Sequence, residues 1–579
     1  MPIKNPTLRV IIRSVLLLLF AASLSRAQGR MVEPADIIII HGRVYTEDPR
    51  QPWAQAVAIY KGKIVAVGDD PVIERRRGMG TKVINAGGKL VLPGFVDCHI
   101  HFMEGSTKLT WVRLEGAKNL SEIRHKLRSY AAQNSGEGWV LGHGWNYGMF
   151  GPGKLPEKKD LDDIFPNRAV SLEGFDGHTY WVNSKALAAA GITRDTPNPP
   201  NGTIVRDPAT GEPTGALEES AAQLVDRVRP AMSREEKLLA LRAGMKWANQ
   251  NGLTRVHAAG GHFLSGDFED LDLYDEMRKR GDLSVRIQLA YFLDPPALRP
   301  QDIDAIENAR KKYSNDWLSA SIVKLRLDGV IESHTAAMLE PYSDDPSVKG
   351  SLFWEPGKYG AAVAELDKRG FQLFTHAIGD YAVRAALDAY EDAETRNHKR
   401  DHRHRIEHIE TVSAADIPRF GKLGVIASMQ PLHSYPDTDT LDVWAHNVGP
   451  ERATRAWVWK SISDAGGHLA FGSDWPVVTL NPWEGIQTAV TRQTSEGQPA
   501  TGFVPEQRLT VAQAIEGYTL GAAFAGRREK SEGSLELGKL ADLIILSQNI
   551  FDVEPHKIGA TKVVTTIVGG RLVYQADSK

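Results

Sequence analysis

Leu92-Pro-Gly-Phe-Val-Asp-Cys-His-Ile-His101 is the stretch on which the fold turns. Its apolar run reads as a buried strand, and it ends on two histidines spaced i and i+2. Side chains two apart on a strand share a face, so both imidazoles can reach one cation. An HxH pair is weak evidence alone, but later runs end in the same way. Strand candidates are Val91–His101, Thr254–Ala259, Arg286–Phe292, Ser321–Asp328, Gln372–His376, Arg403–His408, Val425–Gln430 and Leu469–Ser473. Amphipathic segments such as Tyr359–Arg369 and Ala382–Thr395 lie between them. Eight strands with helical crossovers call for a parallel sheet, and that count favours closure into a (β/α)8 TIM-like barrel.

Outward from this middle, both ends turn β-rich. Ala35–His41, Arg43–Thr46, Ala56–Tyr60 and Lys63–Val67 are β-branched runs punctuated by Gly and Asp, and Ala541–Leu546, Val563–Val568 and Arg571–Tyr574 repeat that texture. One small β-sandwich assembled from both termini is expected, with separate β appendages as the alternative. The region from Thr107 to Ala248 breaks the strand–helix rhythm and reads as an insert after the first barrel strand, with a helix at Ser233–Asn249. The expected layout is therefore 35–92 and 531–579 for the sandwich, 93–106 for the first barrel strand, 107–248 for the insert and 249–530 for the rest of the barrel.

The first 27 residues read as a leader. Lys4, Arg9 and Arg13 precede an apolar run from Val15 to Leu24, and Ser25-Arg26-Ala27 offers small residues for cleavage. That run of about ten residues is too short to cross a bilayer needing about 20, so the chain is expected to be exported, periplasmic or secreted, with no stable membrane span after cleavage. The net charge of −3 gives no electrostatic reason to expect nucleic acid as a partner. A small-molecule substrate is expected; oligomeric state stays open, a homodimer being one arrangement. Cys98 is the only cysteine, which excludes an internal disulfide and any CxxC metal site.

Chemistry-bearing residues recur where strands end: Lys324 in Ile322–Gly329, His376 in Thr375–Asp380, His408 in Arg405–Ile409 and Asp474 in Gly472–Pro476. A barrel places its active site at the C-terminal ends of its strands, and such a set is expensive to bury unless a metal compensates it. Taken singly, His376 and His408 read as core histidines, Lys324 as a salt-bridged strand residue and Asp474 as a helix cap. Asp97 reads as a partner orienting an imidazole, Cys98 as a packed strand residue, and His402 and His404, in the charged stretch Arg396–Arg405, as solvated. The insert segments Gly142–Tyr147 and Phe175–His178 combine aromatic faces with polar tips, which makes Trp145, Asp176 and His178 candidates for substrate binding. No G-x-S-x-G elbow, Walker A or G-x-G-x-x-G pattern occurs.

The whole set resembles the amidohydrolase superfamily, and within it the YtcJ-like branch (the amidohydrolase-3 group). The resemblance is carried by Leu92–His101, Asp176–Ser184, Lys324 with Asp328-Gly329, Thr375–Asp380, Arg403–His408, Gly472–Val477 and Gly533–Asp542, in that order from about residue 36 to the end. It implies a barrel, a sandwich from both termini and an insert. It implies metal ligation by His99, His101, His376 and His408, with Asp474 as ligand and general base. Lys324 occupies the position where many members carry a carboxylated lysine bridging two metals. One or two divalent ions, of the zinc type, are expected. Asp328 and His334 join the substrate-binding candidates; the branch often has Ser-Arg-Thr where this chain has Ser333-His-Thr335, so no particular substrate carries over. The expected reaction is hydrolysis of a non-peptide carbon–nitrogen bond, an N-substituted amide being one form. Deamination, cyclic-amide hydrolysis or a non-catalytic exported binding or regulatory role are the alternatives.

Overall fold

The computed structural model describes residues 33–577 apart from 115, 135, 151–153, 175–178, 200–201, 263–267, 294–298 and 399. The expected leader, and Asp176 and His178, lie outside the described residues. Among those described, no helix is long and apolar enough to cross a membrane.

The chain divides into two compact units, one of residues up to Gly94 with Arg528–Asn549 and Lys562 onward, the other of Phe95–Arg527 with Ile550–Thr561. In the first, a four-stranded and a six-stranded sheet enclose a core that includes Ile37, Ile59, Val91, Leu543 and Ile567. Both termini supply the six-stranded sheet, for Leu543–Leu546 runs antiparallel to Leu90–Pro93 with Ile544 opposite Leu92. This corrects the reading of Val91–His101 as one strand. Leu90–Pro93 belongs to the sandwich, and the barrel strand begins at Phe95, after Gly94. Residues Ile550–Thr561 likewise interrupt the expected 531–579 sandwich segment by packing within the second unit.

The second unit holds eight parallel strands in chain order: β1 Phe95–Ile100, β2 Leu253–His262, β3 Arg286–Leu293, β4 Leu318–Arg326, β5 Gln372–Ala377, β6 Arg405–His408, β7 Ile426–Met429 and β8 His468–Phe471. The seam between β8 and β1 is bonded just beyond β8, where Asp474 N–H donates to His99 O at 2.7 Å and His101 N–H to Trp475 O at 2.8 Å. Gly472 makes this approach feasible, since a Cβ there would lie 2.5 Å from His99 N and 2.7 Å from Asp97 Oδ1. The insert forms its own six-stranded mixed sheet from Val112–Arg113 to Pro213–Glu219, packed on a core of Ile123, Leu172, Trp145 and Trp181. Its return helix, Arg234–Gln250, starts at a Ser233/Glu236 capping box, which satisfies two end groups reciprocally.

At the N-terminal end of β5 and β6, His402 and His404 are not solvated. Asp367, fully buried, accepts from His404 Nε2 at 3.0 Å, from Arg400 Nη2 at 2.9 Å and from Asn397 Nδ2 at 2.8 Å, with His402 Nδ1 at 2.5 Å. Burial alone would raise the Asp367 pKa; hydrogen bonds from His402 and His404 outweigh it and hold the carboxyl far below its usual range. Burial pulls His404 below its usual value against the opposing pull of Asp367. Asp367 therefore stabilises the fold above its unfolded pKa of about 4 and loses that contribution as pH falls through the folded value, and His404, held neutral in the fold, costs stability as pH falls below about 6.5. Urea denaturation should show a falling midpoint between pH 7 and pH 5. Asp367→Asn should lower the midpoint at pH 7, at a cost of about 1–3 kcal/mol, because His402 and His404 lose their shared buried acceptor; an unchanged midpoint would contradict the role.

Candidate metal centre

β1, β4, β5, β6 and the turn after β8 bring the predicted strand-end residues to one mouth. His99 and His101 leave β1 in register, and Asp474, with φ at +61°, turns its carboxylate back across the seam toward them. Asp474 Oδ1 lies 3.4 Å from His99 Nε2 and 3.2 Å from His101 Nε2, while Oδ2 lies 3.9 Å from His408 Nδ1. The ligand atoms of His99, His408 and Asp474 all fall within 4.8 Å of one another. Lys324 Nζ sits 3.1 Å from His99 Nε2. His376 is outside that trio but adjoins it, its ring 4.5 Å from that of His408 and its Nε2 3.3 Å from Gly329 O.

The electrostatics suit cation binding. Burial, reinforced by the Lys324 charge, drives His99 well below its ordinary pKa and His376 down to about 3. Burial and neighbouring His376 do the same to His408. These imidazoles are therefore neutral, the form that ligates. Asp474 is held well below the usual carboxylate range against burial, a charge that a cation shared with His99, His101 and His408 would compensate. Burial lowers the Lys324 pKa, with Asp474 and Glu407 opposing.

A buried support fixes the His99 ring. Glu407 Oε2 lies 2.6 Å from His99 Nδ1, accepts from Ser428 Oγ at 2.6 Å and from Arg405 Nη2 at 3.1 Å, while Oε1 accepts from Arg405 Nε at 2.9 Å. With the proton on Nδ1 facing Glu407, the Nε2 lone pair faces Asp474. Sequence reading assigned that task to Asp97. Instead, Asp97 Oδ1 accepts from the backbone N–H groups of His99 and Ser473 at 3.1 and 3.0 Å, and Oδ2 accepts from Ser473 Oγ at 2.5 Å. Asp97 thus ties the seam, not an imidazole. Cys98 packs with Val96, Ile426 and Ala470, its thiol pushed up to about 12 by burial.

Two substrate-binding expectations, those at Trp145 and Asp328, need correction. Trp145 is fully buried in the insert core, its Nε1 donating to Leu172 O at 2.9 Å, because a register shift between His143 and Trp145 turns it inward. Asp328 is fully buried and spent on backbone, accepting from Ala337, Ile378 and Gly379 N–H at 2.9 to 3.0 Å. His334 Nε2 is paired with Asp344 Oδ2 at 2.8 Å, the ring resting on Tyr342. Two residues near the centre escaped the sequence reading: Glu407, and His433 three residues past Gln430, with Nε2 3.7 Å from Asp474 Oδ2. The one available signal was position, since both lie at or just beyond strand ends. A second group with metal-like spacing, Asp367, His402 and His404, already carries the Arg400 guanidinium on the same carboxylate oxygen.

Comparison with known proteins identifies the family. The sequence profile of the amidohydrolase family matches residues 82–574. The putative amidohydrolase YtcJ of Bacillus subtilis is 30% identical over 92% of this chain and 98% of its own. An N-substituted formamide deformylase of Arthrobacter pascens is 27% identical over 94% and 99%. Among solved structures, a metal-dependent hydrolase from Pyrococcus horikoshii superposes with a TM-score of 0.73 at 25% identity, covering 90% of this chain and 99% of that one. The strand-end constellation and the end-to-end match together place the chain in the amidohydrolase family, as a YtcJ-like, metal-dependent hydrolase.

Proposed function

We propose that the protein hydrolyses a non-peptide carbon–nitrogen bond of a small N-substituted amide, a formamide being the simplest case. The observation that carries this reading is Asp474 Oδ1, buried at the mouth, within 3.4 Å of two imidazole nitrogens, and without a hydrogen bond of good geometry. An ionised oxygen with no donor, faced by ligand-ready lone pairs, fits a cation. The ligands would be His99, His101, His408 and Asp474, with His376 and Lys324 extending the set toward a second ion. Burial favours the neutral Lys324 amine, the form that adds carbon dioxide to become a bridging carbamate. His and carboxylate donors without thiolate suit zinc.

When bound, a zinc-type ion supplies Lewis acidity and lowers the pKa of water toward about 7. Asp474 accepts the proton of the attacking water and delivers it to the departing nitrogen, since an amine leaves poorly unless protonated. Glu407 keeps the His99 ring in its ligating tautomer. Val330, Phe353, Tyr381, Leu441, Val443 and Val477 stand exposed in or beside the segments following the C-terminal ends of β4, β5, β7 and β8. Such side chains favour an apolar N-substituent over a charged one. The relative named as an N-substituted formamide deformylase adds support for this substrate class. Cleavage of the leader would deliver the enzyme outside the cytoplasm.

Chelation should abolish turnover of N-aryl formamides, and zinc should restore it; activity untouched by chelator would overturn the metal reading. Asp474→Asn should keep fold and lose at least about 10³-fold in kcat, by analogy with loss of a general base. Glu407→Gln should weaken zinc affinity about 10- to 100-fold in a chelator competition. Cleavage confined to cyclic imides and ureas would overturn the linear-amide assignment.

A further inference from the structure

His433 is placed as deliberately as the residues assigned above, yet none of them needs it as a partner. It sits on the single turn Pro431–Ser434 directly after β7, with its backbone N–H donating to Gln430 O at 3.0 Å and Ser434 Oγ locking the turn on Pro431 O at 2.8 Å. Its ring lies parallel to that of His408, 5° between planes and 5.8 Å between centroids. Nε2 points across 3.7 Å to Asp474 Oδ2, and Nδ1 stands 3.9 Å from Glu410 Oε1. Both separations exceed hydrogen-bonding reach. Buried Nε2 accordingly has no hydrogen-bond partner, although buried polar atoms are nearly always satisfied.

The group is also outside the trio of His99, His408 and Asp474 that shares ligand spacing. The two oxygens of Asp474 have different neighbours: Oδ1 faces His99 and His101, whereas Oδ2 faces His408 and His433. Of the two carboxylates facing the ring, Asp474 is the nearer, which favours the imidazole tautomer protonated at Nε2. That leaves an N–H aimed at the space beside the general base, with no acceptor until substrate enters. Donors aimed at developing charge and needing no reorganisation are worth most in water-poor sites.

We propose that His433 is a further catalytic residue, donating a hydrogen bond from Nε2 to the scissile carbonyl oxygen as it becomes an oxyanion. The inference rests on the amide-hydrolase reading for its substrate, and no proton is transferred in this step.

His433→Phe keeps a ring against His408 and removes the donor; His433→Gln restores an N–H. With zinc-loaded protein and an N-aryl formamide, the Phe variant should lose about 10²- to 10³-fold in kcat, with KM and zinc content near wild type. The Gln variant should recover to within about tenfold of wild type, as a donor-restoring change would. Calorimetry with N-phenyl methylphosphonamidate, a tetrahedral anion, should show a matching loss of affinity in the Phe variant, while aniline binding stays unchanged. Wild-type-like kcat in the Phe variant, equal damage in both variants, or loss of zinc would overturn the proposal. If wild type cleaves no amide but binds the phosphonamidate in a His433-dependent way, the amide reading fails and the donor role stands. Binding of neither would overturn both.

Discussion

A carboxylate buried where a barrel closes has to be compensated, and the rest of this centre is organised around that requirement. Asp474 comes from the turn that bonds the last strand to the first, so its position is tied to closure itself. Three neutral imidazoles face or adjoin it, with a lysine amine behind, and the Oδ1 atom accepts no hydrogen bond. Without a cation the arrangement wastes the favourable interactions that normally accompany a buried charge. With one, the same atoms would supply the ligands and the base proposed above.

Support for these residues comes from two polar networks. Asp97 joins Ser473 to the β1 backbone and so sets the separation between His99 and Asp474. Glu407, held by Arg405 and Ser428, orients the His99 ring from the opposite side. Arg405 also donates to Cys98 O at 2.6 Å and lies over the Phe374 ring, which links β6 to β1 and β5 through one guanidinium. A fully satisfied buried network of this kind rigidifies a site, and its loss is felt at the ligands it supports.

Much of this was legible before any coordinates. Parallel strands buried on both faces read as continuous apolar runs, so all eight barrel strands stood out. The i, i+2 rule put His99 and His101 on one face. What failed were features set by long-range or irregular geometry. Nothing in Leu90–His101 except Gly94 marks where one sheet ends and another begins. The shift around Gly144, with φ at +88°, defeats simple alternation and sends Trp145 into the core. His402 and His404 look solvated beside so many charges, because their partner Asp367 lies 35 and 37 residues away. Glu407 meets His99 across 308 residues, a pairing no local pattern encodes.

Anomalous scattering at the zinc edge from crystals of the zinc-loaded protein tests the account most directly. A peak at about 2.0–2.2 Å from the Nε2 atoms of His99 and His101 and from a carboxylate oxygen of Asp474 is the predicted result. Zinc bound only at Asp367, His402 and His404, or no peak at the barrel mouth, would contradict it.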